Sequence, residues 1–126
     1  MRVFDRILGW FLVVLGCVHN FVAAPLTYNE LSTQALWFVS AGLALWYAGF
    51  LNLLRAQAVS PGWFLCVVCL LTNISLLAFV VAYAVVKGNW ASPGAIALIG
   101  TVAVLTAMSI LALVRTSRAG RHAPDN

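Results

Sequence analysis

The sequence predicts an all-α protein, a membrane-spanning antiparallel four-helix bundle. Of its 126 residues, 63% are hydrophobic and only 8% are charged, and the mean hydropathy is +1.01. Soluble domains carry about 25% charged residues, so this chain has too few charges to cover a globule in water. Four windows, 7–29, 31–54, 56–86 and 88–114, contain no charged residue. Each is longer than the roughly 20 apolar residues that a helix needs to cross a bilayer core.

The first two spans are predicted over residues 7–24 and 30–54. Pro25 restricts the backbone after the first span, and Thr27-Tyr28-Asn29-Glu30 has the T-x-x-E spacing of a capping box. The second span should therefore begin near Glu30. Val22-Ala23-Ala24 resembles a signal-peptide cleavage site, but Pro25 follows it directly, so we expect the first span to be retained.

The last two spans are predicted over residues 61–86 and 93–114. Ser60-Pro61 and Ser92-Pro93 have the same helix-starting pattern, because serine accepts from free backbone N–H groups and proline tolerates the first helical position. All linkers are short, which makes successive helices antiparallel neighbours. We predict one transmembrane domain over residues 1–114, followed by a polar, mobile cytoplasmic tail over residues 115–126.

The basic residues predict the orientation. If the N-terminus is cytoplasmic, the opposite side receives only Lys87. The cytoplasmic side then receives the other six basic residues, Arg2, Arg6, Arg55, Arg115, Arg118 and Arg121. Cytoplasmic loops carry an excess of Lys and Arg, so both termini are expected in the cytoplasm. Basic residues that flank apolar runs are topology signals, so we expect no nucleic-acid partner.

His19 and Asn20 are unusual because they lie within an apolar run. Counted from Ile7, His19 lies roughly 18 Å into a hydrocarbon core about 30 Å thick. Small residues recur every seven positions at Gly9, Gly16 and Ala23, and such spacing allows close approach of helices. His19 and Asn20 follow Gly16 by three and four residues. They should therefore face other helices and not lipid.

Asn73 is the predicted partner of His19 and Asn20. It lies about 15 Å along the third span from Trp63, near the midplane. These three side chains would form a polar centre of the bundle and bind a ligand there. The alternative is structural, because buried Asn and His side chains often hydrogen bond across membrane helices and hold them together. An ionisable group at such depth nevertheless makes His19 a candidate ligand or proton carrier.

Three other features allow two interpretations each. Glu30 is either a helix cap or a group at the outer mouth that gates or takes up protons. Cys66-x-x-Cys69 has redox or metal spacing, but it lies in an apolar helix without basic neighbours and is also compatible with simple packing. The small residues of the second and fourth spans serve packing within the chain or a dimer interface.

Two stretches carry a family resemblance: VVLGCVH at 13–19, and ALWFVSAGLAL at 35–45 with GFLNLL at 49–54. In these the chain looks like small uncharacterised bacterial four-helix membrane proteins. It is loosely similar to the broad DoxX-like group, in which a first-helix glycine and histidine occur in a comparable setting. The resemblance implies a bacterial inner membrane and no particular activity.

Three functions remain open. We expect a non-enzymatic inner-membrane protein that binds a partner protein, a lipid or a small apolar ligand in or beside the bundle. The second is a small transporter or transporter subunit that works as a homo-oligomer, with His19 as its proton-linked group. The third is a membrane enzyme or redox component using His19 with Cys66 and Cys69. No phosphate loop or metalloprotease motif is present, so we expect no cofactor and no metal.

Overall fold

The computed structural model describes the backbone of residues 2–121 and the side chains of residues 3–119. Within these residues the chain is helical and has no strand. Its elements are α1 (Arg2–Val18), a π-helical turn (His19–Ala23), α2 (Ala24–Thr27), α3 (Thr33–Gln57), α4 (Trp63–Val86) and α5 (Pro93–Arg121). The π-helical turn joins α1 and α2 into one continuous helix, so the described chain consists of four long helices. The predicted four-helix fold is confirmed.

All four long helices are long and apolar enough to cross a membrane, with mean hydropathies between 1.4 and 2.7 over their most apolar windows. Only 22–33% of the residues in these windows are buried within the protein. Most of the apolar surface therefore faces outward, as expected for a multi-pass membrane protein whose surroundings are lipid.

The start of α3 differs from the prediction. The helix begins at Thr33, and Ser32 Oγ caps it by accepting from the Ala35 N–H at 3.1 Å. The predicted capping box at Thr27–Glu30 is wrong, because the helical backbone continues through Thr27, whose hydroxyl donates to Ala23 O at 2.7 Å. The second span is therefore 33–57, three residues later at both ends than predicted.

The two Ser-Pro pairs behave differently. Ser92 Oγ accepts from the Ala95 N–H at 3.2 Å and Pro93 is the first residue of α5, which confirms that prediction. The Ser60-Pro61 prediction is wrong, since α4 begins at Trp63 without a side-chain cap. The Pro61 carbonyl instead accepts from the Thr116 hydroxyl at 3.4 Å, which ties the α3–α4 loop to α5.

α5 is longer than predicted, because it continues to Arg121 and not only to Val114. Its last two turns are polar, and the predicted mobile tail is therefore helical over residues 115–121. Helical hydrogen bonds do not depend on the apolar medium, so a change in polarity does not end a helix. The rest of the predicted tail, 122–126, lies outside the described residues.

The bundle consists of two closely packed helix pairs, α1 with α3 and α4 with α5, and α3 also packs against α4. Glycines allow the first pair to approach closely. A Cβ on Gly16 would lie 2.8 Å from Gly42 O, and one on Gly49 would lie 2.9 Å from Gly9 O. Gly9 and Gly16 thus face α3, as the small-residue spacing predicts. A core of large apolar side chains, including Leu12, Leu45, Leu76, Val80, Val102 and Leu105, joins the two pairs.

The two ends of the bundle are chemically different. The terminal end carries the start of α1, the α3–α4 loop and the last turns of α5. The distal end carries the α2–α3 and α4–α5 loops. The candidate sites lie at opposite ends.

Candidate functional site

The π-helical turn at His19–Ala23 is the local feature that positions the predicted polar pair. Pro25 has no N–H to donate to Phe21 O, and its ring would crowd that carbonyl in a regular helix. The backbone widens instead, and the Ala24 N–H donates to His19 O, five residues earlier. Such π-helical turns are rare and occur frequently at functional sites.

His19 contacts Phe38 of α3 in two ways. Its Nε2 lies 2.9 Å from Phe38 O, and its ring stacks on the Phe38 ring with centroids 4.0 Å apart and 12° between the planes. A carbonyl oxygen only accepts, so Nε2 carries the proton and Nδ1 of the neutral ring is an acceptor. The side chain of Phe38 also meets the ring of Tyr28 edge-on, at 5.5 Å. The three rings form one aromatic cluster at the distal end.

Asn20 packs directly against Gly42 of α3. A Cβ at Gly42 would overlap the Asn20 side-chain amide, so glycine is required for this close approach. Asn20 Oδ1 is buried and has no hydrogen-bond partner within the described part of the chain. A buried unpaired oxygen is costly, which makes Asn20 a weak point of the α1–α3 contact.

Asn73 lies away from His19 and Asn20. It forms a reciprocal amide pair with Asn52 of α3, at 2.8 and 3.0 Å, and its Nδ2 also donates to Ser109 Oγ at 3.0 Å. No hydrogen bond among residues 3–119 joins it to His19 or Asn20. The structure therefore divides the predicted polar centre into two separate groups.

The second group extends to an ion pair that the sequence analysis missed. Arg55 Nη2 donates to Asp5 Oδ1 at 2.6 Å, and Arg55 Nη1 donates to Ser109 Oγ. We call the set Asp5, Asn52, Arg55, Asn73 and Ser109 the polar network. It connects all four long helices within the terminal half of the bundle. The sequence held one signal for it, the i, i+3 spacing of Asn52 and Arg55, which places both side chains on one helix face.

An apolar cleft of about 600 Å³ lies at the distal end, between the two helix pairs. His19, Trp37 and Phe38 form part of one wall. Its deeper lining is aliphatic, with Leu15, Leu45, Leu76, Val80 and Leu98. Polar side chains line it where helices begin or end, namely Tyr28, Gln34, Tyr83 and Lys87. Neither Asn20 nor Asn73 lines this cleft.

A smaller cavity of about 260 Å³ lies at the terminal end. Asp5 and Arg55 line it, together with Pro61, Arg115 and Thr116. The polar network therefore borders a cavity on its terminal side, and the apolar core separates it from the cleft.

The remaining predicted residues are not brought to the cleft. Glu30 is exposed in the α2–α3 loop and is not the helix cap that the sequence predicted. Cys69 Sγ donates to Leu51 O at 3.3 Å, and Cys66 Sγ lies 3.8 Å from Thr116 Oγ1 and 4.0 Å from Pro61 O. All three cysteines are free thiols. His19 and the Cys66–Cys69 pair contact different parts of the bundle, so the geometry does not bring them together.

Searches for similar proteins gave no match with any protein-family model, curated protein or solved structure. The DoxX-like resemblance therefore stays a prediction. Within the described residues, no group of three or more His, Cys, Asp or Glu side chains is arranged to hold a metal ion.

Proposed function

We propose that this protein binds a small apolar ligand, or the acyl chain of a lipid, in the distal cleft beside His19. The observation that carries the proposal is the cleft itself, about 600 Å³ of largely apolar space with His19 and Phe38 in its wall. Small-molecule sites typically have about 300–1,000 Å³, an apolar lining and a few placed polar groups. The cleft has all three properties.

The packing of the helices explains why the cleft persists. Within the α1–α3 pair, glycine contacts bring the backbones together, whereas the polar network joins the two pairs only in the terminal half. In the distal half, the described residues form no comparable set of hydrogen bonds between the α1–α3 pair and the α4–α5 pair. Large side chains such as Trp37 and Phe79 line the resulting gap without closing it.

We place the protein in a bacterial inner membrane with both termini in the cytoplasm. Six basic residues at the terminal end against Lys87 at the distal end support this orientation, and the DoxX-like resemblance supports the compartment. In this orientation the cleft opens in the half of the membrane that faces away from the cytoplasm. A ligand would reach it from the outer leaflet.

Photolabelling tests the proposal. An alkyl alcohol that carries a diazirine is added to proteoliposomes, and the labelled residues are mapped by mass spectrometry. We expect labels on Trp37, Phe79 and Leu98, and loss of these labels in Ala41→Trp or the milder Ala41→Leu, which fill the cleft. The matched control, Ala78→Trp, places the same side chain on an exposed face of α4 and should leave cleft labelling unchanged. Equal cleft labelling in both Ala41 variants and wild type would refute the proposal.

A second candidate function, proton-linked transport by a homo-oligomer, is favoured by one observation. Cavities lie at both ends of the bundle, with the apolar core and the polar network between them. Exposed small residues on α5, Gly100, Ala103 and Ala107, are compatible with a neighbouring copy. Proton flux in liposomes that is lost in His19→Phe would support transport, and equal flux in both would exclude His19 as the proton-linked group.

A further inference from the structure

The lining of the distal cleft changes from polar to apolar along its depth. Gln34 lies in the first turn of α3 and Lys87 caps the end of α4, so both mark the mouth. Leu45 follows Gln34 by eleven residues, and Leu76 precedes Lys87 by eleven. At 1.5 Å per residue, both antiparallel helices place the aliphatic floor roughly 16 Å below the mouth. The cleft is therefore amphipathic along its length.

Lys87 is the only charged side chain among the described residues that line this cleft. It is exposed and forms no ion pair with any residue in the described part of the chain. Tyr28, Gln34 and Tyr83 surround the mouth with hydroxyl and amide groups that can donate hydrogen bonds. The mouth thus offers one free positive charge and several neutral donors, without a carboxylate in its lining.

We infer that the occupant of the cleft is an amphiphile with one anionic headgroup and one acyl-type chain, taken from the outer leaflet. The inference rests on the proposed function and specifies the ligand class. The headgroup would lie against Lys87, with Tyr28, Gln34 and Tyr83 as hydrogen-bond donors. The chain would extend past Phe38 toward Leu45 and Leu76. A neutral headgroup would gain no attraction from the Lys87 charge, and a cationic headgroup would be repelled by it.

Two photoactivatable probes that differ only in their headgroup test this inference. One is a long-chain fatty acid with a diazirine in its chain, and the other is the corresponding fatty alcohol. Both are added at equal mole fraction to phosphatidylcholine proteoliposomes at alkaline pH, where the acid is ionised. We expect the acid to label the floor residues Leu45 and Leu76 about two- to fivefold more than the alcohol, as one partly exposed ion pair allows.

Substitutions at Lys87 separate charge from structure. Lys87→Gln should remove the preference for the acid while leaving alcohol labelling unchanged, and Lys87→Arg should keep the preference. Arg118→Gln is the matched control, because it removes an exposed positive charge at the terminal end. It should leave the preference intact.

The outcomes distinguish a failure of the anionic-headgroup inference from a failure of the proposed ligand binding in the cleft. Equal floor labelling by both probes in wild type would overturn the anionic headgroup but leave the cleft as an apolar binding site. A preference for the acid that persists in Lys87→Gln would also overturn the role of Lys87. Labelling of the floor by neither probe would overturn the proposed function itself.

Discussion

Arg55 Nη2 lies 2.6 Å from Asp5 Oδ1 in an ion pair whose side chains are only 2% and 12% exposed. The second guanidinium nitrogen, Nη1, donates to Ser109 Oγ, so the charge joins α3 to both α1 and α5. Arg55 Nε is buried without a hydrogen-bond partner among the described residues. A pair this well shielded from solvent depends on both partners, because either charge alone would be buried without compensation.

Removal of one member of the ion pair should destabilise the fold strongly. We expect Asp5→Leu to lower the free energy of unfolding by about 3–5 kcal/mol, because the Arg55 charge then stays buried and unpaired. The double variant Asp5→Leu with Arg55→Leu should lose less stability than Asp5→Leu alone. Unfolding of purified protein in mixed micelles measures both. Arg118→Leu, at an exposed position, is the control, and a double variant that is less stable than either single one would contradict the interpretation.

The amide pair between Asn52 and Asn73 should show favourable coupling. Asn73→Leu leaves the Asn52 amide without its reciprocal partner, and an unsatisfied buried group costs about 1–3 kcal/mol. Interhelical hydrogen bonds in membrane proteins average only about 0.6 kcal/mol, so we expect a loss at the lower end of this range. A double-mutant cycle with Asn52→Leu measures the coupling. Thr101→Val is the control, since the Thr101 hydroxyl donates to a carbonyl of its own helix. A coupling energy of zero between Asn52→Leu and Asn73→Leu would refute the amide pair.

Two Gly→Ala substitutions should have opposite effects. Gly42→Ala places a methyl group where the Asn20 amide lies, and overpacking of this kind costs about 1–3 kcal/mol. Gly100→Ala has open space around the new Cβ and should stabilise the helix by up to about 1 kcal/mol. Thermal unfolding in detergent compares them. An equal melting temperature for both variants would show that α1 and α3 do not approach as closely as described.

The orientation can be tested with cysteine labelling. In a variant without native cysteines, Lys87→Cys should react with a membrane-impermeant maleimide added to intact cells. Arg118→Cys should react only after the membrane is permeabilised, because the terminal end faces the cytoplasm. Both positions are exposed, so accessibility within the protein does not distinguish them. The reverse pattern would invert the proposed topology.

Replacement of the cysteines should leave the cleft functional. Cys66 and Cys69 are buried and contact backbone carbonyls or Thr116. The triple variant Cys17→Ala, Cys66→Ala and Cys69→Ala should therefore lose stability only through lost packing. We expect cleft photolabelling to be unchanged. Loss of labelling in a variant that still folds would show that at least one of the cysteines is needed for ligand binding in the cleft.

Helix number and span positions could be predicted from the sequence, because hydrocarbon imposes a simple rule on the chain. A segment without charges that is long enough to cross the bilayer core is expected to be helical, because a helix pairs almost all of its backbone polar groups within the segment itself. Gly9 and Gly16 likewise predict a close contact, because their seven-residue spacing keeps them on one face. The helix starts were less predictable, because Thr27 and Ser60 have capping side chains that the backbone did not use.

Which side chains meet in each site could not be predicted from the sequence, because it depends on how the helices pack. Asn73 pairs with Asn52 and not with His19, and Arg55 turns inward to Asp5, because the register between neighbouring helices determines which side chains meet. The depth of a residue along its own helix can be counted from the sequence, but this depth does not give the register between that helix and its neighbours. The pattern of charged and apolar residues was enough to predict four long apolar helices. The packing of those helices places the polar network at one end of the bundle and leaves an open cleft beside His19 at the other.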